Sequence, residues 1–282
     1  MSTPAPAGRP SARTTLLVLT TGLAAGFLAG LFGVGGGLII VPALMTVLDM
    51  DQRRAAATSL AAIVVTAAVG TISYAQRGEV SLAAFAIVSV GSLAGAPLGT
   101  RLLRRLPHRV LPWVFVGFTL IVIVSQQLRS PVREAALILD PLRAVGLVAV
   151  GLVAGILAGL VGVGGGGVIV PGLQLAVGVG DLLARGTSLL IMIPTAAAGT
   201  WSNLRHGTVD LRVGLLVGAA AVVAAPLGTR AAAALSPAAG NVLFNVFLVC
   251  VVLNMLLKER ARLRRQAREA PGEDSADEQA GA

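Results

Sequence analysis

Two glycine clusters are the most chemically suggestive features of this chain. Gly33-Val34-Gly35-Gly36-Gly37 and Gly162-Val163-Gly164-Gly165-Gly166-Gly167 each interrupt a long apolar run. Glycine permits φ > 0 and close backbone approach. The spacing predicts one helix ending near Leu31 and another starting near Gly36, with the same break in the second cluster. A helix that begins there presents unpaired N–H groups and a positive dipole end. Inside a bilayer such groups must face protein or a water-filled cavity, and a small oxyanion satisfies them. Gly35, Gly36, Gly37, Gly164, Gly165 and Gly166 are therefore the candidate anion ligands. Pro42 and Pro171 lie too deep in the new helices for first-turn prolines, which predicts kinks.

Hydroxyls and amides follow each cluster. Thr58-Ser59 and Thr187-Ser188 are placed to open the next helices, where they either cap or line a pathway. Asn203, with Ser202, Ser73 and Tyr74, falls near the far ends of those helices, as a pathway group or an interhelical hydrogen-bonding group. Arg101 and Arg230 each follow Pro-Leu-Gly-Thr. They either snorkel to headgroups or draw anions to the pathway mouths.

The elements that must position these groups are apolar. Of 282 residues, 55% are hydrophobic and only 12% charged, with 35 glycines. That charge is about half the share of an ordinary soluble domain. Apolar surface this abundant excludes disorder, and glycine has no collagen period. Uncharged stretches run over 14–48, 55–76, 80–100, 110–128, 144–180, 186–204, 213–229 and 231–257. Six suit one crossing of a ~30 Å hydrocarbon core; the two that contain the glycine clusters are too long for one helix. Asp49, Asp51, Glu79, Asp181 and Asp210 are read as loop-edge residues. The net charge of +9 is read as membrane-flanking arginine, not a nucleic-acid surface. Cys250 is the single cysteine, so no intramolecular disulfide and no cysteine-based metal site is expected.

The chain is internally duplicated. Gly22–Leu44 aligns with Gly151–Leu173 at an offset of 129, and the alignment continues without a gap to Ala-Pro-Leu-Gly-Thr-Arg at 96–101 and 225–230. Of 80 aligned positions, 37 are identical, glycines and prolines among them. The expected organisation is a disordered N-terminus (1–13), membrane repeat 1 (14–128), a linker (129–143), membrane repeat 2 (144–257) and a charged tail (258–282). The fold class is an all-α polytopic membrane protein. If each glycine-broken stretch is a re-entrant hairpin, the repeats are inverted and 16 of the 22 Lys/Arg lie inside; if all eight stretches cross, the repeats are parallel and 14 do. The positive-inside rule favours inversion, with both termini cytoplasmic.

Broken helices in duplicated halves point to a transporter with its site where the breaks meet. No cofactor is called for; the expected partners are a small anion and the lipid bilayer. A membrane serine hydrolase needs a nucleophile and a base, but His108 and His206 both lie in charged loops. Gly162, Gly164 and Gly167 match a dinucleotide fingerprint with Asp181 beyond it, yet Leu38 replaces the third glycine in the first copy. Export of an anion from an inside-negative cell gains about 2.3 kcal/mol per 100 mV, which favours export.

The doubled G-x-x-G-x-G-G-G-x-x-x-V-P motif, the Thr-Ser-Leu that follows it and the doubled Ala-Pro-Leu-Gly-Thr-Arg resemble the sulfite exporter TauE/SafE family of sulfur-transport permeases, over about Leu16 to Leu257. The resemblance implies a bacterial plasma-membrane permease for sulfite or sulfonates. It also implies substrate contact at Gly35–Gly37, Gly164–Gly166 and the Thr-Ser pairs. Some thiosulfate-importing relatives look to use pathway cysteines, which this chain lacks apart from Cys250. A permease or channel for a non-sulfur solute is the alternative.

Overall fold

The computed structural model describes residues 12–107, 110, 113, 114, 116, 117, 119, 120, 123, 124 and 140–269. Residues 1–11, the linker through 139 and the tail beyond 269 lie outside the described residues, as does much of the 110–128 stretch. Nine long helices are described: α1 (Ala12–Phe32), α2 (Gly37–Val47), α3 (Gln52–Ala75), α4 (Leu82–Arg105), α5 (Pro141–Val161), α6 (Gly166–Val177), α7 (Asp181–Leu204), α8 (Leu211–Ala234) and α9 (Pro237–Glu269). No strand occurs among the described residues. The offset of 129 also relates the bounds of α1, α3 and α4 to those of α5, α7 and α8.

Six helices, α1, α3, α4, α5, α7 and α8, are long and apolar enough to cross a membrane, and α2 and α6 are shorter. Large apolar side chains such as Leu16, Val90, Val145, Trp201 and Val223 are exposed on the outside, as a lipid-facing surface requires. Small residues set the packing. A Cβ on Gly22, Gly26 or Gly30 of α1 would meet the carbonyls of Val217, Ala221 and Ala225 on α8 at 2.5, 2.5 and 2.2 Å. Gly151, Gly155 and Gly159 of α5 press against Val88, Ser92 and Ala96 of α4 in the same way. Both are small-xxx-small contacts between parallel helices. By contrast, Gly70 of α3 meets Leu189 of α7 while Gly199 of α7 meets Leu60 of α3, so α3 and α7 run antiparallel.

Helix starts divide into two kinds. Asp51, Ser81, Asp140 and Asp210 accept from backbone N–H groups at the starts of α3, α4, α5 and α8, the usual N-cap arrangement. The starts of α2, α6 and α7 have glycine caps, Gly36, Gly165 and Gly180, and no side-chain cap; only Gly36 and Gly165 among these are left-handed.

One expectation is corrected. α7 opens at Asp181, at the edge of the 178–180 loop, several residues before the Thr-Ser pair, and takes in Asp181 and Arg185, 1% and 3% exposed. Their opposite charges, one turn apart, pair on one face, which lets the buried first turn hold them. Arg101, Arg104 and Arg105 lie in the last turns of α4; arginine is a good helix former and favours the C-terminal dipole end. The basic segment after Leu257 continues α9 to Glu269.

Candidate functional site

The two chain breaks meet in the interior. α1 ends at Phe32 and α2 starts at Gly37, and Gly33, Gly35 and Gly36 have φ of +71°, +69° and +79°. In the second copy Gly162, Gly164 and Gly165 have φ of +77°, +77° and +83°. These left-handed residues are what side chains resist. The loops lie against each other: a Cβ on Gly37 would come within 2.6 Å of Val163 Cα, and one on Gly166 within 2.7 Å of Val34 Cα. Among the described residues, no backbone carbonyl accepts from the N–H groups of Gly35, Gly36 and Gly37, or from those of Gly164, Gly165 and Gly166.

Directly in front of the loops stand Ile63 and Met192, counterparts at the same offset and both fully buried. A Cβ on Gly35 would meet Met192 Cε at 2.3 Å and Ile63 Cγ2 at 3.1 Å; one on Gly164 would meet the same atoms at 2.2 and 3.0 Å. The open cradle expected from the glycine spacing is thus filled by two apolar side chains. A separate pocket of about 450 Å³ lies between the α2–α3 turn and the start of α8, lined in part by Asp49, Asp51, Arg54 and Asp210. None of its lining residues belongs to a glycine break.

The Thr-Ser pairs lie in the second turn of α3 and α7 and brace one copy against the other. Ser59 Oγ donates to Gly162 O, and Ser188 Oγ donates to Gly33 O at 3.0 Å. Thr58 Oγ1 accepts from the N–H of Asp210 at 3.0 Å, and Thr187 Oγ1 from that of Ser81 at 2.9 Å. Each Ser thereby satisfies a loop carbonyl, and each Thr holds the start of a helix in the other copy. Thr66 Oγ1 donates to Gly35 O at 2.9 Å, whereas its counterpart Thr195 pairs with Ser92 Oγ at 2.8 Å. Arg101 and Arg230 are exposed, away from the breaks.

Behind the breaks the two copies differ. Tyr74 Oη donates to Gly30 O at 2.7 Å, next to the end of α1. Its counterpart Asn203 is fully buried, and among the described residues neither its Oδ1 nor its Nδ2 has a hydrogen-bond partner. Thr71 and its counterpart Thr200 are also buried with unpartnered hydroxyls. An unpartnered buried polar group costs on the order of 1–3 kcal/mol. Arg185 Nη1 donates to Leu31 O at 2.7 Å, and its Nη2 lies 3.5 Å from Asp181 Oδ2.

Sequence reasoning brought together the glycines and the Thr-Ser pairs, and missed Ile63, Met192, Asp181 and Arg185. The first two carried no signal beyond apolarity. The charged pair had one: Asp181 and Arg185 stand opposite Gln52 and Ala56 at the offset of 129, while the first copy carries its charges at Arg53 and Arg54, opposite Leu182 and Leu183.

The sulfite exporter TauE/SafE family model matches residues 2–125 and 147–279. A probable membrane transporter protein of Haemophilus influenzae is 29% identical over 262 residues, covering 86% of this chain and 98% of the relative. YunE of Bacillus subtilis, a probable membrane transporter protein, is 34% identical over 123 residues, 41% of this chain and 45% of the relative. A probable membrane transporter protein of Xylella fastidiosa is 26% identical over 260 residues, 89% of this chain and 98% of the relative. No solved structure matches the chain.

Proposed function

The chain belongs to the sulfite exporter TauE/SafE family, and on that premise we propose that it is a multi-pass inner-membrane permease that exports a small sulfur-containing oxyanion, sulfite or an organosulfonate. The observation that carries the reading is the pair of uncapped helix starts at Gly36 and Gly165. They meet where the two copies touch, with backbone N–H groups that donate to no backbone carbonyl among the described residues. Gly35–Gly37 and Gly164–Gly166 supply those donors. Ser59, Ser188, Thr58 and Thr187 hold the loops, and Asn203 supplies an unpartnered amide. Arg101 and Arg230 serve the pathway mouths.

In this reading the two side chains in front of the breaks are the plug of the pathway. Ile63 and Met192 occupy the place of the passenger, and the thioether of Met192 swings aside when the anion enters. Methionine suits this role because it has three soft rotors. Export follows from the inside-negative potential, which assists an outgoing anion.

The same reading makes the repeats inverted and the broken stretches re-entrant. Helix directions support it: α1 runs parallel to α8, α3 antiparallel to α7, and α5 parallel to α4. With α3–α4 and α7–α8 joined by short turns, α1 and α5 point in opposite directions. α6 turns back along α5, with Gly165 beside Ala154 and Gly172 beside Val150. A cysteine placed at Arg105 in a Cys250→Ser background is expected to react with impermeant maleimide only from the cytoplasm; reaction from outside overturns this topology.

The decisive experiment is a flux panel in proteoliposomes with sulfite, sulfoacetate, sulfate and thiosulfate. Saturable, counterflow-competent movement of sulfite or sulfoacetate, driven by an imposed potential, is the expected result. A wild type that moves no member of the panel overturns the substrate class, and flux that never saturates replaces the carrier with a channel.

A further inference from the structure

We propose that Arg185 is the charge that selects the permeating anion, and that the Asp181 carboxylate stands in for that anion while the protein is empty. The proposal rests on the permease reading above and adds to it a residue that neither the glycine motif nor the repeat pattern contains.

Four observations carry it. First, Arg185 is buried, with its side chain only 4% exposed, in a helix long and apolar enough to cross the membrane. A charge there is expensive and marks a functional position. Second, Arg185 forms the wall of the first break. A Cβ on Gly33 would meet Arg185 Cβ at 2.6 Å and Cα at 2.7 Å, and Arg185 Nη1 donates to Leu31 O just before the break. That bond anchors the guanidinium at the end of α1, beside the Tyr74 hydroxyl, with Nη2 turned toward Asp181. Nη2 lies beside Gly240 of α9, where a Cβ would come within 2.8 Å. Third, the ion pair to Asp181 is loose. Nη2 and Oδ2 are 3.5 Å apart, against about 2.7–2.9 Å for a tight charge-assisted bond. A guanidinium fork fits a planar or tetrahedral oxyanion better than this geometry fits Asp181. Fourth, the fold does not need the pair. The first copy builds the same helix, with the same bounds at the offset of 129, from Gln52 and Ala56.

Charge bookkeeping then gives the mechanism. In the empty protein Arg185 and Asp181 neutralise each other. An anion that reaches the break competes with the carboxylate for Nη2, so Asp181 sets how weakly the anion is held and how readily it leaves. A neutral solute gains nothing from this exchange. Tyr74, from α3, is the other titratable group facing the pair; its hydroxyl is committed to Gly30 O.

The test transplants the first copy into the second. Asp181→Gln together with Arg185→Ala reproduces Gln52 and Ala56 and leaves no orphan charge, so the double variant keeps its fold. In proteoliposomes we expect its KM for sulfite to rise at least ~10-fold, with its amount and monodispersity in detergent at wild-type level. Asp181→Asn alone removes the competitor, and KM falls with a slower turnover. Arg185→Lys keeps the charge without the fork and lies between wild type and the double variant. A double variant with wild-type KM overturns the inference and leaves the permease reading intact, as does an Asp181→Asn variant whose KM is unmoved. A wild type that carries no panel anion overturns the permease reading instead.

Discussion

Seen from Gly36 and from Gly165, the molecule looks the same. The two residues have φ of +79° and +83°, and a Cβ on either would sit 2.7 Å from a carbonyl, Ala25 O in one copy and Ala154 O in the other. Seen from one shell further out, it does not. Tyr74, Asp181 and Arg185 gather at the end of α1, while their counterparts Asn203, Gln52 and Ala56 are smaller or neutral. The lesson is that duplication preserved the backbone of the breaks and let the surrounding side chains diverge.

The sharpest way to break this comparison is to strain the two loops separately. Gly36→Val and Gly165→Val each force a β-branched residue into left-handed backbone, about 1–2 kcal/mol, and into a neighbouring carbonyl, about 1–3 kcal/mol more. Both should lower flux at least ~100-fold with the protein still in the membrane; unchanged flux in either removes the loops from the site. A gentler change addresses the plug. Met192→Ile stiffens it and should slow turnover about tenfold, whereas Ile63→Met should leave turnover equal or faster, as read from initial rates. Equal slowing by both would mean that neither side chain moves.

The divergent shell gives smaller effects. Asn203→Leu removes two unpartnered polar atoms and should raise the thermal midpoint in detergent while lowering flux, the usual conflict between stability and function. Tyr74→Phe loses the bond to Gly30 O and should destabilise by about 1 kcal/mol. A rise for Tyr74→Phe, or a fall for Asn203→Leu, would dissolve the contrast. Smallest of all, Ser59→Ala and Ser188→Ala each remove one bond to a loop carbonyl and should cost about the same, roughly 0.6–1.5 kcal/mol. Unequal costs would show that the braces are not equivalent.

Much of this was legible in the residues. The breaks fall within one or two positions of Leu31 and Gly36, because no other residue type would tolerate that backbone in an apolar run. The small-residue ridges at Gly22, Gly26 and Gly30 were also legible, since their four-residue spacing is the helix period itself. The start of α7 was misplaced because a charge in a membrane helix looks like a helix end until its partner is seen. The Thr-Ser pairs read equally as caps or as pathway groups, because a hydroxyl's chemistry is the same whether it pairs with its own helix or with another.

The sequence by itself determined the apolar runs, the duplication and the positions of the two breaks, because each follows from local properties: hydrophobic length, identity at a constant offset and the conformational freedom of glycine. Only the tertiary structure decided that Ser59 reaches Gly162 and Ser188 reaches Gly33, that Ile63 and Met192 close the cradle, and that Arg185 binds the end of α1 beside Asp181. Those contacts join residues up to 155 positions apart, and nothing in a one-dimensional pattern encodes which distant carbonyl a buried hydroxyl or guanidinium will find.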